Sequence, residues 1–387
     1  MTATKTFLSE VEELVARFDN FKTQTTDTDF PHETFSVIRN EGLLALPLLA
    51  EYDPLQAADY ASAQVAFHRL LLLLKVVGRG SLPAGRIYEG HANALHLIQL
   101  YGTSQQKRYW AECATEQQQL FGIWNTESQD GIKVHQISDD EYEIEGSKTF
   151  CSGAGQVDQM IITGHLLSGA ENLGWQMVVV PLEKVAEERI DPSFWQPMGM
   201  TASASYKVDY TGIRLKKSDL LGQPNDYHQQ PAFSGGAVRF AAVHLGGAEA
   251  LFEHVRRQLK ARERVDHPYQ LHRLGQLAIA VEGGNQWLNG AAANTLYAYN
   301  SEQQVMEYAN MVRTAITGLC QEVIQLTLSS VGVQGCMKPN PLERIIRDLQ
   351  TYLCQPNPDG ALAAAGKYVG DAPQPLSQLW RKRLDDA

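Results

Sequence analysis

Cysteine is scarce in this chain and follows no pattern. The five residues, at 113, 151, 320, 336 and 354, form no CxxC and no metal-ligand spacing. That excludes a disulfide framework or a zinc module and leaves reduced thiols in a cytoplasmic protein as the expectation. Long apolar runs are also missing. The longest leucine run, Leu70 to Leu74, is closed by Arg69 and Lys75, far short of a bilayer span. The N-terminal MTATKTFLSEVEELVARFD has no basic stretch leading into an apolar one, so no secretory leader is expected. Positive charge is in deficit: 33 Lys and Arg against 44 Asp and Glu give a net charge of −11. A general nucleic-acid binder or a protein of anionic membrane surfaces would carry the opposite balance. What is present is ordinary: 387 residues, 44% hydrophobic and 20% charged, enough for two or three domains with buried cores.

Three textures follow one another. Up to about Gln119 the pattern is helical; Phe7, Val11, Leu14 and Phe18 recur at three- and four-residue steps. From Leu120 to Leu221 short alternating runs such as Tyr142–Ile144, Met160–Thr163 and Met177–Val180 are broken by Gly, Asp, Asn and Pro, which reads as a β-domain. Gly222 to Gly236 (GQPNDYHQQPAFSGG) reads as a linker. Helical spacing then returns with Phe240, Val243, Leu251, Val255 and Leu259, and long helices are expected to about Leu353. The expected domains are 1–119, all helical; 120–221, β; the linker 222–236; and 237–387, helical.

Within this frame one helix start stands out in NPLERIIRDLQTYLCQPNPDG, Asn340 to Gly360. Asn340 can cap, Pro341 suits the first helical position, and Glu343 at the third can reach back to the cap. Glu343 with Arg347 and Arg344 with Asp348 are i,i+4 pairs. Upstream stand GVQGCMKPNP (332–341), KARERVDHP (260–268), GSKTFCSG (146–153), FGIWNTE (121–127) and GHANALHLIQLYGTSQQKRYW (90–110).

Together these segments resemble the acyl-CoA dehydrogenase superfamily over nearly the whole chain. The resemblance implies an α+β fold: an N-terminal helical domain, a β-barrel-like middle domain and a C-terminal four-helix bundle. It also implies FAD rather than FMN. Trp124, Asn125 and Thr126 would then meet the flavin edge, with Phe150 as stacking aromatic and Ser152 as hydroxyl. Arg262, with Arg264 as the nearby alternative, would contact the pyrophosphate of a neighbouring subunit's cofactor, and Gly332 and Gly335 its adenosine half. A homotetramer or homodimer follows, because those contacts arrive from another subunit. Chemically the set is sensible: a flavin needs an aromatic wall and a few fixed donors, and guanidinium suits phosphate. The other reading of each motif is an ordinary strand with buried aromatics, or a solvated basic helix end.

The departures are equally specific. In much of the family a tyrosine–glutamate–glycine segment supplies the base that removes the substrate's α-proton; here Cys354, Gln355, Pro356 and Asn357 stand in that place. The family's second position for that glutamate is Val238, ahead of Arg239. Asp359 is the carboxylate that remains nearby, and His91 or His96 could act as acid or base, or simply fill helix positions. The loop that helps hold acyl-CoA is shortened to SQDGIKV, Ser128 to Val134. The Thr201, Ser203 and Ser205 cluster resembles the monooxygenase branch somewhat more than the fatty-acid branch. Three functions remain open: a divergent FAD-dependent dehydrogenase of an acyl-thioester, served by an electron-transfer flavoprotein; a monooxygenase of a small non-CoA substrate, fed by a flavin reductase; and a non-catalytic flavin-binding scaffold.

Overall fold

The computed structural model describes residues 13–17, 27–48, 60–295 and 300–380. The N-terminal amphipathic stretch falls mostly outside them, with 13–17 helical. Contacts group the described residues into two units: 60–82 with 230–380, and 27–48 with 83–229. Helix Tyr60–Gly80 therefore groups with the C-terminal helices, whereas the helices that follow it group with the strands.

The strand-bearing unit contains α1 (His32–Asn40), α3 (Leu82–Tyr101) and α4 (Ser104–Thr115); α2 is the Tyr60–Gly80 helix. A capping box starts α4. Thr103 accepts from the Gln106 N–H at 3.2 Å and donates its own N–H to Gln106 Oε1 at 2.9 Å. The Gln106 amide then donates to the carbonyls of Ser218 and Leu220, so one glutamine both starts the helix and ties it to a strand.

Ten strands follow: β1 Phe121–Trp124, β2 Lys133–Gln136, β3 Glu141–Glu145, β4 Ser147–Cys151, β5 Gln159–Ser168, β6 Glu171–Pro181, β7 Ile190–Asp191, β8 Tyr206–Asp209, β9 Arg214–Lys216 and β10 Leu220–Leu221. One sheet runs β10-β6-β5-β2-β3-β9 with β1 also on β5; a second runs β4-β8-β7. β6 occupies one edge of β5 along its whole length. β1 and β2 share the other edge, both parallel to β5: β1 ends at Trp124 opposite Ile162, and β2 begins at Lys133 opposite His165. The sheet is thus interrupted beside Thr163 and Gly164. One face of it packs Phe121, Ile123, Ile161, Met177 and Val179 against Leu95, Ile98 and Trp110 of α3 and α4.

The other unit is a bundle of α2, α5 (Ala237–Ala261), α6 (Pro268–Asn294), α7 (Glu302–Val331), α8 (Pro341–Tyr352) and α9 (Pro358–Asp371). Alanines and β-branched residues such as Ala241, Ala242, Val312, Ile316 and Val323 fill its centre. Glu249 of α5 is held there between Arg79 and Lys75, the latter at 2.8 Å. Burial pushes its carboxyl up, but the two cations outweigh that and leave it below the ordinary range. Helix α8 matches its sequence signals with one change. Asn340 caps it, accepting from Leu342 N–H at 3.1 Å, and Pro341 is the first residue. Glu343 turns away from the cap and chelates Arg347, because a bidentate guanidinium contact is stronger than a neutral backbone bond. Arg344 and Asp348 pair at 3.6 Å.

Candidate functional site

The interruption in the sheet has to satisfy the backbone of residues 125–132, which belong to no strand. Strand β4 does most of this. Lys148, with no exposed surface, sends its ammonium into the gap, 2.9 Å from the Asn125 carbonyl and 2.7 Å from Glu127 Oε2. Glu127 in turn accepts the Ile132 N–H at 3.2 Å. Burial pulls the Lys148 pKa below the usual lysine range, and Glu127 opposes it. Thr149 N–H donates to Thr126 O at 3.0 Å, and Ser147 N–H to Asp130 O at 2.8 Å. Gly146, at φ +104°, lets β4 come this close: a Cβ there would stand 2.5 Å from the Gly131 carbonyl.

Alternate residues of a strand point to opposite faces, and this divides the flavin-edge set read from the sequence. Phe121 and Ile123 face α3 and α4, so Asn125 continues that face. Trp124 points the other way and is 3% exposed, its indole N–H bonded to Ser152 O at 3.1 Å. The Trp124 indole therefore braces β1 against the segment after β4, which leaves its backbone as the part able to meet a flavin edge. Asn125 is half-buried, with Oδ1 2.7 Å from Thr163 Oγ1 and 3.2 Å from Trp175 Nε1. Thr126 is exposed beside it.

Phe150 follows at φ +55°, a left-handed backbone that a bulky side chain rarely adopts. The strand pairing with β8 shifts register at this point. The kink turns the ring outward, 49% exposed, edge-on to Phe194 at 5.1 Å and Trp195 at 5.9 Å. Such local strain is held by its surroundings and commonly marks a functional surface. Ser152 is buried, and its hydroxyl is 2.9 Å from Ser205 Oγ, itself 2.8 Å from Ser203 Oγ. Asn125 thus bonds to Thr163 and Trp175, Ser152 bonds to Trp124 and to Ser205, and Phe150 packs against Phe194 and Trp195.

His91 belongs elsewhere. Its ring is fully buried; Nε2 donates to the Leu44 carbonyl at 2.9 Å and Nδ1 accepts the Phe121 N–H at 3.0 Å. Burial, the largest influence, lowers its pKa to about 4. Both nitrogens are committed to backbone, so the acid/base role expected of His91 gives way to fixing the start of β1. His96, five residues on, is half-buried on another side of α3.

In the bundle unit, Arg262 and Arg264 sit on the turn that ends α5, around Glu263 at φ +54°. With Gly332, Val333 and Gln334 they line a cavity of about 700 Å3. No carboxylate among the described residues pairs with either guanidinium. Gly332 has φ +67° and ψ −159°, a conformation open essentially to glycine alone. Gly335 is buried under the loop against Val331, so one glycine of the predicted pair faces the cavity and the other packs beneath it.

No carboxylate stands in the segment after α8. Arg313 Nη2 donates to Pro356 O at 2.7 Å while its guanidinium lies 5.4 Å from the Phe240 ring. Val238 is fully buried. Asp359 was expected in a turn able to fold back; instead Pro358 starts α9 and Asp359 lies exposed in its first turn. There a carboxylate complements the helix dipole, which accounts for the aspartate without chemistry. What sequence reasoning missed is the supporting set Lys148, Glu127, Thr163 and Trp175. The signal available was a lysine on a strand between otherwise buried positions.

Among the described residues no helix is long and apolar enough to cross a membrane. The family profile "Acyl-CoA dehydrogenase, C-terminal domain" matches residues 238–354. A dibenzothiophene monooxygenase of Mycolicibacterium goodii is 21% identical over 329 residues, 77% of this chain and 78% of that protein. FMN-bound TdsC of Paenibacillus sp. A11-2 superposes with TM-score 0.80 at 18% identity, over 97% of this chain and 100% of TdsC. Butyryl-CoA dehydrogenase of Megasphaera elsdenii superposes with TM-score 0.75 at 15% identity, over 95% of this chain and 100% of its own. Profile and fold agree with the motifs read from the sequence: residues 238–354 match the acyl-CoA dehydrogenase C-terminal domain, and the chain has the acyl-CoA dehydrogenase-like fold.

Proposed function

We propose that the chain is a flavin-dependent oxidoreductase that acts on a small molecule without a carboxylate α-base. Oxygenation by reduced flavin fits its residues better than dehydrogenation of an acyl-thioester. The observation that carries this reading is the segment Cys354–Asn357, held by Arg313 on the Pro356 carbonyl and free of any acid. Buried Val238 and surface Asp359 leave the two other positions without a base as well. α-Proton removal needs such a group within reach; oxygen chemistry does not. The similarity to a dibenzothiophene monooxygenase and to TdsC points the same way.

The residues suit a flavin. Phe150 offers an exposed aromatic face, Asn125 a fixed amide, and Ser152 a hydroxyl held by Ser205. The unpaired arginines at the Gly332 cavity favour a pyrophosphate, and so FAD over FMN. When bound, the flavin supplies electron-pair transfer and, once reduced, oxygen activation. Around it the chain positions the ring edge, walls off one face, and offers His96 as a candidate proton donor. A flavin reductase as partner fits this chemistry; a homotetramer or homodimer is what the family resemblance implies, and a cytoplasmic setting is what the unpatterned cysteines favour.

The dehydrogenase reading keeps support from the fold of butyryl-CoA dehydrogenase. Rapid mixing separates the two. The flavin-loaded protein is reduced without air, mixed with oxygen and followed by absorbance. A transient species that builds and decays before oxidised flavin returns supports oxygenation. One slow phase with no transient sinks that reading and returns attention to thioesters and an electron-transfer flavoprotein. Failure to retain any flavin sinks both.

A further inference from the structure

The hydrogen bonds around Asn125 fix which end of its side chain is spent and which is offered. Trp175 Nε1 carries a hydrogen and no lone pair in the ring plane, so an indole nitrogen can only donate. The Asn125 atom 3.2 Å from it must therefore be Oδ1. Thr163 Oγ1, 2.7 Å from the same oxygen, then donates as well. With two donors the carbonyl end is saturated, and the Nδ2 amino group has no partner among the described residues. An asparagine left to itself can present either end; this one is locked.

The lock is built from elements that cannot drift. Thr163 is fully buried on β5 opposite Met177. The Trp175 backbone exchanges two bonds with Asn225: its N–H donates to Oδ1 at 3.0 Å and its carbonyl accepts the Asn225 N–H at 2.7 Å. The Lys148 ammonium lies 5.0 Å from the centre of its ring. That ammonium also holds the Asn125 carbonyl. Side chain and main chain of Asn125 are thus clamped separately.

From this we infer that Trp175 and Thr163 are positioning residues that make Asn125 an obligatory hydrogen-bond donor to the bound ring. The ligand atom placed there must be an acceptor: a carbonyl oxygen or an unprotonated ring nitrogen of a heteroaromatic, as on the polar edge of a flavin. The inference rests on the flavin reading and adds the polarity of the contact and the two residues that enforce it.

Asn125→Asp tests it with almost no change of shape. The new carboxylate still accepts from Trp175 and Thr163, so the fold is kept, but it offers the ligand an acceptor where a donor is needed. FMN and FAD are each titrated into wild type and variants by flavin fluorescence, with melting temperature recorded alongside. Asn125→Asp is expected to bind at least about tenfold more weakly, since one lost donor and one new repulsion together exceed a single neutral hydrogen bond. Binding should recover as the pH falls and the new carboxyl gains a proton to donate. Trp175→Phe keeps an aromatic ring but removes the N–H together with the five-membered ring; it should weaken binding by a few-fold, and the melting temperature recorded alongside separates that loss from the cost of the smaller side chain. If wild type binds flavin and Asn125→Asp and Trp175→Phe bind it equally well at every pH, the inference is wrong and the flavin reading stands. If wild type binds neither FMN nor FAD, the flavin reading itself fails and this inference with it.

Discussion

Two stretches of the chain resemble cofactor-binding motifs of the same family, yet they are built on opposite terms. At the end of β1 the polar groups are held by assigned partners, Lys148 on Asn125 and Glu127, Thr163 and Trp175 on the Asn125 side-chain oxygen, and of these groups only the Asn125 amino group is left over for a ligand. At the end of α5 the Arg262 and Arg264 guanidinium groups stand exposed at an open cavity, with no anchoring carboxylate among the described residues. The first arrangement is pre-organised and fixes geometry. The second offers charge, which is effective for a phosphate but loose in position. The fold therefore spends its buried polar network where orientation matters and leaves bare charge where attraction is enough.

If that contrast holds, the strand end should be the more expensive to damage. Lys148→Met is expected to cost the most stability. It strips Glu127 and the Asn125 carbonyl of a buried partner, and breaking a buried ion pair from one side typically costs about 3 kcal/mol or more. Urea unfolding of the variant measures it directly. A loss under about 1 kcal/mol, the size of an ordinary surface pair, would mean the gap is not held by this lysine.

His91 supports the same strand from the helix side, and its effect is read through pH. The unfolded imidazole protonates near 6.5, whereas the folded one resists until about 4. Between those values the unfolded state binds the extra proton, so stability rises with pH across that window. The contribution is complete above 6.5 and is lost as the pH falls toward 4, amounting to roughly 3 kcal/mol. His91→Gln cannot titrate and should flatten that part of the stability–pH curve. A variant curve parallel to wild type would remove His91 from the account.

The loose end of the comparison predicts a smaller and selective change. Arg262→Ala should weaken FAD by about tenfold, the scale of one charge-assisted contact to phosphate, and leave FMN unaltered, because FMN has no pyrophosphate. Equal losses for both flavins would show that the arginine serves folding or the monophosphate end instead. Melting temperature should barely move, since the side chain is exposed.

The division between what the sequence made legible and what it hid follows the same line. Helix α8 could be read almost entirely from Asn340, Pro341 and its two i,i+4 pairs, because caps and helix neighbours are local. Only the choice of Glu343 for Arg347 over the cap escaped, a competition between two local partners. The acyl-CoA dehydrogenase-like fold was legible for a similar reason: the motifs that resemble it are short contiguous strings. The direction of Trp124 was hidden, although period-two alternation bears on it, because a motif match treats adjacent residues as one site. The roles of Lys148, Thr163 and Trp175 were hidden more deeply. They meet Asn125 across separations of 23, 38 and 50 residues, which no local pattern encodes. His91 belongs with them: its partners Leu44 and Phe121 lie 47 and 30 residues away.

Asp359 gives the sharpest null. It is the carboxylate nearest in sequence to the family's base position, and a dehydrogenase that took a carboxylate base from this segment would have to use it. The structure puts it at the surface in the first turn of α9, where its charge contributes a few tenths of a kcal/mol to the helix dipole and nothing to a reacting carbon. Asp359→Asn should therefore leave flavin reduction and reoxidation rates within about twofold of wild type, since only a general base within hydrogen-bond reach contributes more. A fall of about a hundredfold or more in flavin reduction by an acyl-thioester would bring α9 into the site and overturn the base-free reading. The contrast between a rigid strand end and an open arginine turn would survive that result, but the reaction built on it would have to change.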